Sequence, residues 1–238
     1  AFDRSNRMPI DARGGWYDAS GDYGIHLSQL DFATYFNTQQ VPFVAYNLGK
    51  AREILLARAE PNFAQILRRL LDETVYGADF LVRIKAPGGS FYAHIYDKSP
   101  EKRPEDRRIG RPMMGPPGPA TPNRPSSSAE RPHEFEVSYR GGGGFAIAAL
   151  AIAARAPQSG DFTNAAYRKA AEDAFAFLEE HNTELTNDGK ENIVDDYCAL
   201  VAASELARTT KSPVYAAAAK RRAENLMSRL ASANGLHD

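Results

Sequence analysis

Two aspartates, Asp18 and Asp22, stand four residues apart in the run Gly14-Gly15-Trp16-Tyr17-Asp18-Ala19-Ser20-Gly21-Asp22-Tyr23-Gly24, which also holds the only tryptophan of the 238 residues. The glycines open backbone angles closed to other residues, so a tight, irregular loop can aim both short carboxylates at one point. A carboxylate held that way can act as general base on a water molecule, and two anions so close need backbone amides or a cation to stay charged near neutral pH. The same residues can cap turns by accepting from backbone N–H groups, the commoner use of Asp in glycine-rich loops. Local spacing alone favours capping.

The elements that would position such a loop are helices. Periodicity predicts a helix from Asn37 through Val41, Val44, Ala45, Leu48 and Leu55, with Pro42 tolerated in its opening turn. A second runs from Pro61 through Phe63, Ile66, Leu70, Val75 and Leu81 towards Lys85. An Ala-rich helix over 144–155 is followed by one with Asp161 as N-cap, through Tyr167, Ala171, Phe175 and Leu178. A fifth covers about 192–208, and a sixth has Ser212 as N-cap and Pro213 at its first position. The expectation is six helices in three hairpins, an all-α chain.

Between the first two hairpins, residues 99–132 carry Pro112, Pro116, Pro117, Pro119, Pro122 and Pro125 and the run Ser126-Ser127-Ser128. Such composition reads as a flexible linker, or, within a compact domain, as a long functional loop. We expect a loop at a cleft rim rather than a domain boundary, with residues 1–238 as one domain. Its basic residues Lys102, Arg103, Arg107, Arg108 and Arg111 alternate with Glu101, Glu105 and Asp106, which predicts a solvated surface.

Lys and Arg number 29 against 30 Asp and Glu, so no whole-chain attraction to nucleic acid or anionic membrane is expected. With 43% hydrophobic and 25% charged residues the chain is neither disordered nor membrane-spanning. One cysteine, Cys198, excludes an internal disulfide and a Cys-rich zinc module, and it falls on an apolar helical stripe as a buried thiol. The five histidines show no metal-ligand spacing, and no run resembles a calcium loop, so no metal and no cofactor is expected. The chain opens at Ala1 with Asp3-Arg4-Ser5-Asn6-Arg7 and no apolar signal-peptide core. A cytoplasmic location is expected, with secretion or a periplasmic location, the signal removed upstream, as the alternative.

Three ordered stretches resemble a known family. Gly14 to Asp22, continued by His26-Leu27-Ser28 and Asn37-Thr38-Gln39-Gln40-Val41-Pro42, looks like the water-activating motif of glycoside hydrolase family 9, the inverting cellulases and related β-glycosidases. Ser138-Tyr139-Arg140-Gly141 to Leu150, and His181-Asn182-Thr183 with Asp188 to Leu200, extend the match almost end to end. The form Asp-Ala-Ser-Gly-Asp is similar to the branch of β-glucosidases and exo-β-glucosaminidases that trim short oligosaccharides.

The resemblance implies an (α/α)6 barrel, of which the three hairpins make about half. It implies an inverting hydrolase of β-1,4-linked gluco-oligosaccharides, with Asp22 as base and Asp18 as companion on the water; the extra Ser20 leaves open which of the two is the base. Inversion needs the two carboxyl sites roughly 6.5–9.5 Å apart. The family's general acid is a glutamate of a C-terminal half, and no acidic residue of this chain matches it. That half, in the same gene or a separate chain, is therefore an expected partner beside a β-linked oligosaccharide.

Candidate substrate-binding residues are Trp16 and Tyr17, whose rings could stack on a sugar face, and His26 after the loop. His94 and Tyr96 come from a segment matching the cleft mouth. Tyr139 and Arg140 precede four glycines that could present amides and a guanidinium fork to a ligand. Asp196 and Tyr197 open the fifth helix, where Asp195 and Asp196 equally suit the helix dipole. A core place for Trp16 and a structural hydrogen bond for His26 remain open. The alternative for the whole chain is a non-catalytic carbohydrate-binding or interaction module.

Overall fold

A computed structural model describes residues 11–16, 40–59, 61–97, 107–110, 133 and 135–232. Among the described residues six helices carry the fold: α1 (Gln40–Arg58), α2 (Ala64–Arg83), α3 (Gly144–Ala154), α4 (Asn164–His181), α5 (Ile193–Thr210) and α6 (Pro213–Ser232). They pack as three hairpins, α1 on α2, α3 on α4 and α5 on α6. Helices α1, α3 and α5 also lie side by side as an inner row, with the other three outside. This is the all-α arrangement of an (α/α)6 barrel, present as three of its hairpins.

The sequence shows why α3 is central. Every residue from Gly144 to Ala153 is buried, as expected of a helix that is apolar all round. A Cβ on Gly144 would fall 2.6 Å from the carbonyl oxygen of Cys198 on α5, so the two helices meet at a distance only glycine allows. Cys198 itself is a buried free thiol. Helix α2 instead shows one apolar face, with Leu71, Val75, Ala78 and Leu81 buried at helical spacing.

Caps confirm some expected starts and move others. Asn192 Oδ1 accepts from Val194 N at 2.9 Å while Asp195 Oδ2 accepts from Asn192 N at 3.1 Å, a reciprocal cap for α5. Ser212 Oγ accepts from Val214 N at 3.3 Å, and Pro213 is the first residue of α6. A 3-10 turn at Pro61–Phe63 precedes α2. Asn37 lies outside the described residues, and Gln40 is the first helical residue of α1. Asp161 does not cap α4: Thr163 Oγ1 accepts from Ala166 N at 3.1 Å. The Asp161 carboxylate pairs with Arg83, because residues 160–162 are held against α2 by Asp79, which accepts from Asp161 N at 2.9 Å, Phe162 N at 3.2 Å and Tyr167 Oη at 2.5 Å.

The proline-rich stretch is not irregular throughout. Residues Arg107–Gly110 form a strand, β2, antiparallel to β1 (His94–Asp97), with His94 opposite Gly110 and Tyr96 opposite Arg108. The remainder of 99–132 lies outside the described residues.

Charge ties the inner row together. Glu205 of α5, almost fully buried, accepts from Lys50 of α1 at 2.5 Å, from Arg155 at the end of α3 at 2.5 Å and from Arg208 at 2.9 Å. At the margins, Phe43, Val44, Ile54 and Leu56 of α1 and Val214, Met227 and Leu230 of α6 are exposed.

Candidate functional site

The connections divide by length. Residues 59–63 and 211–212 turn tightly between helices and 155–163 take a nine-residue path from α3 to α4, whereas 84–143 and 182–192 are longer and lie where α3 and α5 begin. Residues 11–16 join that end by docking on the last turns of α2. Gly14 and Gly15, at φ +94° and +74°, bend the chain over Phe80 and Arg83. Asp11 accepts from Arg83 Nε at 3.2 Å and from Arg13 Nη2 at 2.7 Å, and the Arg13 contacts chiefly hold its carboxyl down at about 2.

Trp16 closes this docked segment. Its Nε1–H donates to Glu73 Oε2 at 3.1 Å, and its ring centroid lies 5.5 Å from that of Tyr76, whose hydroxyl donates to Gly15 O at 3.1 Å. A Cβ on Gly77 would come within 2.7 Å of the indole, so glycine there makes the seat for the ring. Trp16 is half-buried in this seat, an anchor for whatever follows it. Tyr17, Asp18, Asp22 and His26 lie outside the described residues. His94 and Tyr96 have their backbones on β1 of the same end.

A second group gathers around 182–192. The five residues Tyr139–Gly143 form a wide helical turn ahead of α3, with Gly142 at φ +120°, a conformation closed to other residues at low cost. Of the amides in this glycine-rich turn, Gly141 N and Gly143 N donate to Ser138 O at 3.2 and 3.1 Å. Tyr139 N donates to Asn182 Oδ1 at 2.6 Å and Arg140 N to Asp195 Oδ1 at 3.3 Å. The Tyr139 side chain is fully buried, with Oη donating to Glu179 Oε1 at 3.1 Å, and burial pushes its phenol well above the ordinary range.

Arg140 is also turned inward. Its guanidinium donates to Asp195 Oδ2 at 3.0 Å, Asn187 Oδ1 at 2.6 Å, Asp188 Oδ1 at 2.9 Å and Lys190 O at 3.2 Å. Burial raises the Asp195 carboxyl, opposed by Arg140 and Asn182. Asp196, fully buried, accepts from Arg222 Nη1 at 3.1 Å and Arg229 Nε at 2.6 Å. Arg222 further donates to Glu191 Oε2 at 2.6 Å and Glu179 Oε1 at 2.9 Å, and lies 5.2 Å over the Tyr139 ring. Tyr197, half-buried, packs edge-on at 6.5 Å from Phe145.

The structure thus brings Tyr139, Arg140 and Asp196 into one buried polar network and sets Trp16 apart on α2. Expected as sugar ligands, the three have their polar groups bound within the protein, because α3, α5 and α6 close around them. Sequence reading missed Asn182, Glu179 and Arg222 as the partners that do this. Asn182 stood in a quoted motif, whereas a buried arginine on an amphipathic helix leaves no signal of its own. Among the described residues no group of three or more His, Cys, Asp or Glu could hold a metal ion, and no helix is long and apolar enough to cross a membrane.

The family model described as Glycosyl hydrolase family 9 matches residues 2–236. A comparison with the curated proteins finds no match.

Proposed function

This chain belongs to glycosyl hydrolase family 9, and we propose that it is the water-activating half of an inverting hydrolase acting on β-1,4-linked gluco-oligosaccharides, cellodextrins first and glucosaminides second. As a member of that family it is a glycosidase with a carbohydrate substrate. The observation that supports the finer reading is the docked segment 11–16: Gly14 and Gly15 bend over Phe80 and Arg83 of α2 and Trp16 anchors on Glu73 and Gly77, which fixes the chain immediately before the motif that begins at Tyr17.

In this reading Asp22 takes a proton from water as the water attacks the anomeric carbon, and Asp18 holds the same water. The second carboxyl group, across the scissile bond, protonates the leaving oxygen; the gap of roughly 6.5–9.5 Å seats the water and inverts the anomeric centre. That acid is assigned to a C-terminal half of the domain. The exposed apolar side chains of α1 and α6 support such a partner, since faces of that kind are buried in a closed barrel. Tyr17, His26, His94, Tyr96 and Tyr197 are the residues we place nearest the sugar, with Trp16 anchoring the chain ahead of them. The 99–132 stretch is read as a rim of the same cleft.

The test is the anomeric form of the first product. A complete protein hydrolysing cellotetraose should release the α-anomer, seen by NMR before mutarotation; release of the β-anomer overturns the assignment. Binding of a cellodextrin without any turnover by the complete protein would favour the non-catalytic module.

A further inference from the structure

Residues 186–192 connect α4 to α5 at the end of the fold where the 11–16 segment docks, and residues 187–190 are exposed. Loops of this kind are ordinarily the mobile parts of a protein. This one is held from below at Asn187, Asp188, Lys190 O and Glu191. Arg140 reaches it with both terminal nitrogens, at 2.6 Å to Asn187 Oδ1, 2.9 Å to Asp188 Oδ1 and 3.2 Å to Lys190 O. Asp188 Oδ1 in turn accepts from Lys190 N at 3.1 Å, and Glu191 is gripped by Arg222 at 2.6 Å. The guanidinium is itself fixed by the buried Asp195, which adds the Arg140 backbone amide and Asn182 Nδ2 at 3.1 Å to its partners. A planar fork held on one side by a buried carboxylate has a single orientation left for the other side.

We infer that Arg140, oriented by Asp195, is the positioning residue that holds the 186–192 loop rigid as one wall of the substrate cleft. It acts on the sugar through the loop and touches no reacting atom, so substrate affinity depends on it while the chemical step does not. The inference rests on the glycosidase reading for the cleft, and on the geometry above for the clamp.

Two measurements separate these supports. Hydrogen exchange on the complete protein should show the amides of 187–191 opening about tenfold faster in Arg140→Gln than in wild type, with α5 beyond its first turn unchanged. Arg140→Lys should recover only part of the protection, since an ammonium lacks the fork. Unchanged loop exchange in Arg140→Gln overturns the clamp, whatever the activity. In cellodextrin hydrolysis the same variant should raise KM on the order of tenfold and leave kcat within about threefold. A loop that loses protection with KM unmoved, or a fall confined to kcat, overturns its role as a cleft wall. Where Arg140→Gln does not fold, the exposed double change Asn187→Ala, Asp188→Ala removes the outer half of the clamp and must give the same exchange and KM shifts. A wild-type protein that hydrolyses no β-glucan sinks the glycosidase reading alone, and the exchange experiment still decides the clamp.

Discussion

Asp195 and Asp196 are sequence neighbours, both fully buried, and their carboxylates serve opposite sides of α5: Asp195 holds Arg140 at 3.0 Å, ahead of α3, and Asp196 holds Arg222 at 3.1 Å, on α6. Successive helical positions point about 100° apart, which follows from 3.6 residues per turn. A single turn of α5 therefore fixes both its inner-row neighbour and its hairpin partner. The cost of burying two aspartates is met by giving each an arginine and further donors, and removal of one member of such a pair is far more damaging than its net contribution would imply.

Asp22→Asn in the complete enzyme should lower kcat by roughly 10³-fold, the scale of a lost general base, with the melting temperature unchanged. Asp18→Asn should also lose most activity. Added azide, a small anion able to stand in for a base, should restore part of the rate in one of the two variants. Turnover within tenfold of wild type in Asp22→Asn would remove that residue from the mechanism.

Gly77→Ala places a Cβ 2.7 Å from the Trp16 ring and equally close to the Cβ of Ala45 on α1. The indole, the one of the two neighbours not fixed to a helix backbone, should leave its seat, at a cost of about 1–3 kcal/mol. With a single tryptophan in the chain, intrinsic fluorescence reports on this seat directly, and a red shift of emission together with a lower denaturation midpoint is the expected pair of results. An emission maximum identical to wild type would show that the ring is not seated against Gly77.

Acid should weaken the tie between Asp11 and Arg83 that helps dock the 11–16 segment. The Asp11 carboxyl is lowered from 3.8 to about 2, chiefly by its hydrogen bonds with Arg13 and with help from Arg83. A lowered folded-state value means the contribution is whole above the unfolded-state value and is lost as pH falls towards 2. Segment docking, followed by exchange of the 12–16 amides, should weaken between about pH 4 and pH 2 in wild type. In Asp11→Asn the segment should be looser at pH 7 and its exchange should carry less of this acid step.

Glu205→Ala leaves Lys50, Arg155 and Arg208, where α1, α3 and α5 meet, to share the carboxylate of Glu53, which lies 3.6, 2.6 and 3.0 Å from them. Since those cations keep some contact with water, the expected loss is about 2–3 kcal/mol, below that of a fully buried pair. Urea titration measures it, and Glu205→Gln should lose less by retaining hydrogen-bond acceptance. A loss under 0.5 kcal/mol, the scale of an ordinary surface change, would show that the cluster does not tie the inner row together.

The helices and their pairing were legible because burial imposes a period that survives in the sequence: Leu71, Val75, Ala78 and Leu81 announce α2, and Asn192 with Asp195 announces the start of α5. The start of α4 was misplaced because Asp161, an apt cap by type, is drawn to Arg83 on another helix and Thr163 two residues later does the capping. The glycine run after Arg140 read as a presenter of free amides, but Gly141 N and Gly143 N donate to Ser138 O, and the acceptors of the Tyr139 and Arg140 amides, Asn182 and Asp195, lie 43 and 55 residues further on. Nothing local marks such partners. The strand at Arg107–Gly110 was hidden for a similar reason, since its character comes from pairing with His94–Asp97 rather than from its own composition.

The unequal ends of the helical hairpins bear on how such a chain can change. Insertions or exchanges between residues 111 and 132, clear of the buried Tyr139–Gly143 turn, are expected to leave the tight turns at 59–63 and 211–212, and the helix contacts they set, as they are. One end can therefore diversify while the other keeps the register of the whole row. The exception is the stretch from Asn187 to Glu191, whose length is tied to two arginines rooted elsewhere. A residue gained or lost there would pull those arginines from buried carboxylates, so this short connection is expected to be the most conservative in length among relatives of this chain, although it lies on the surface.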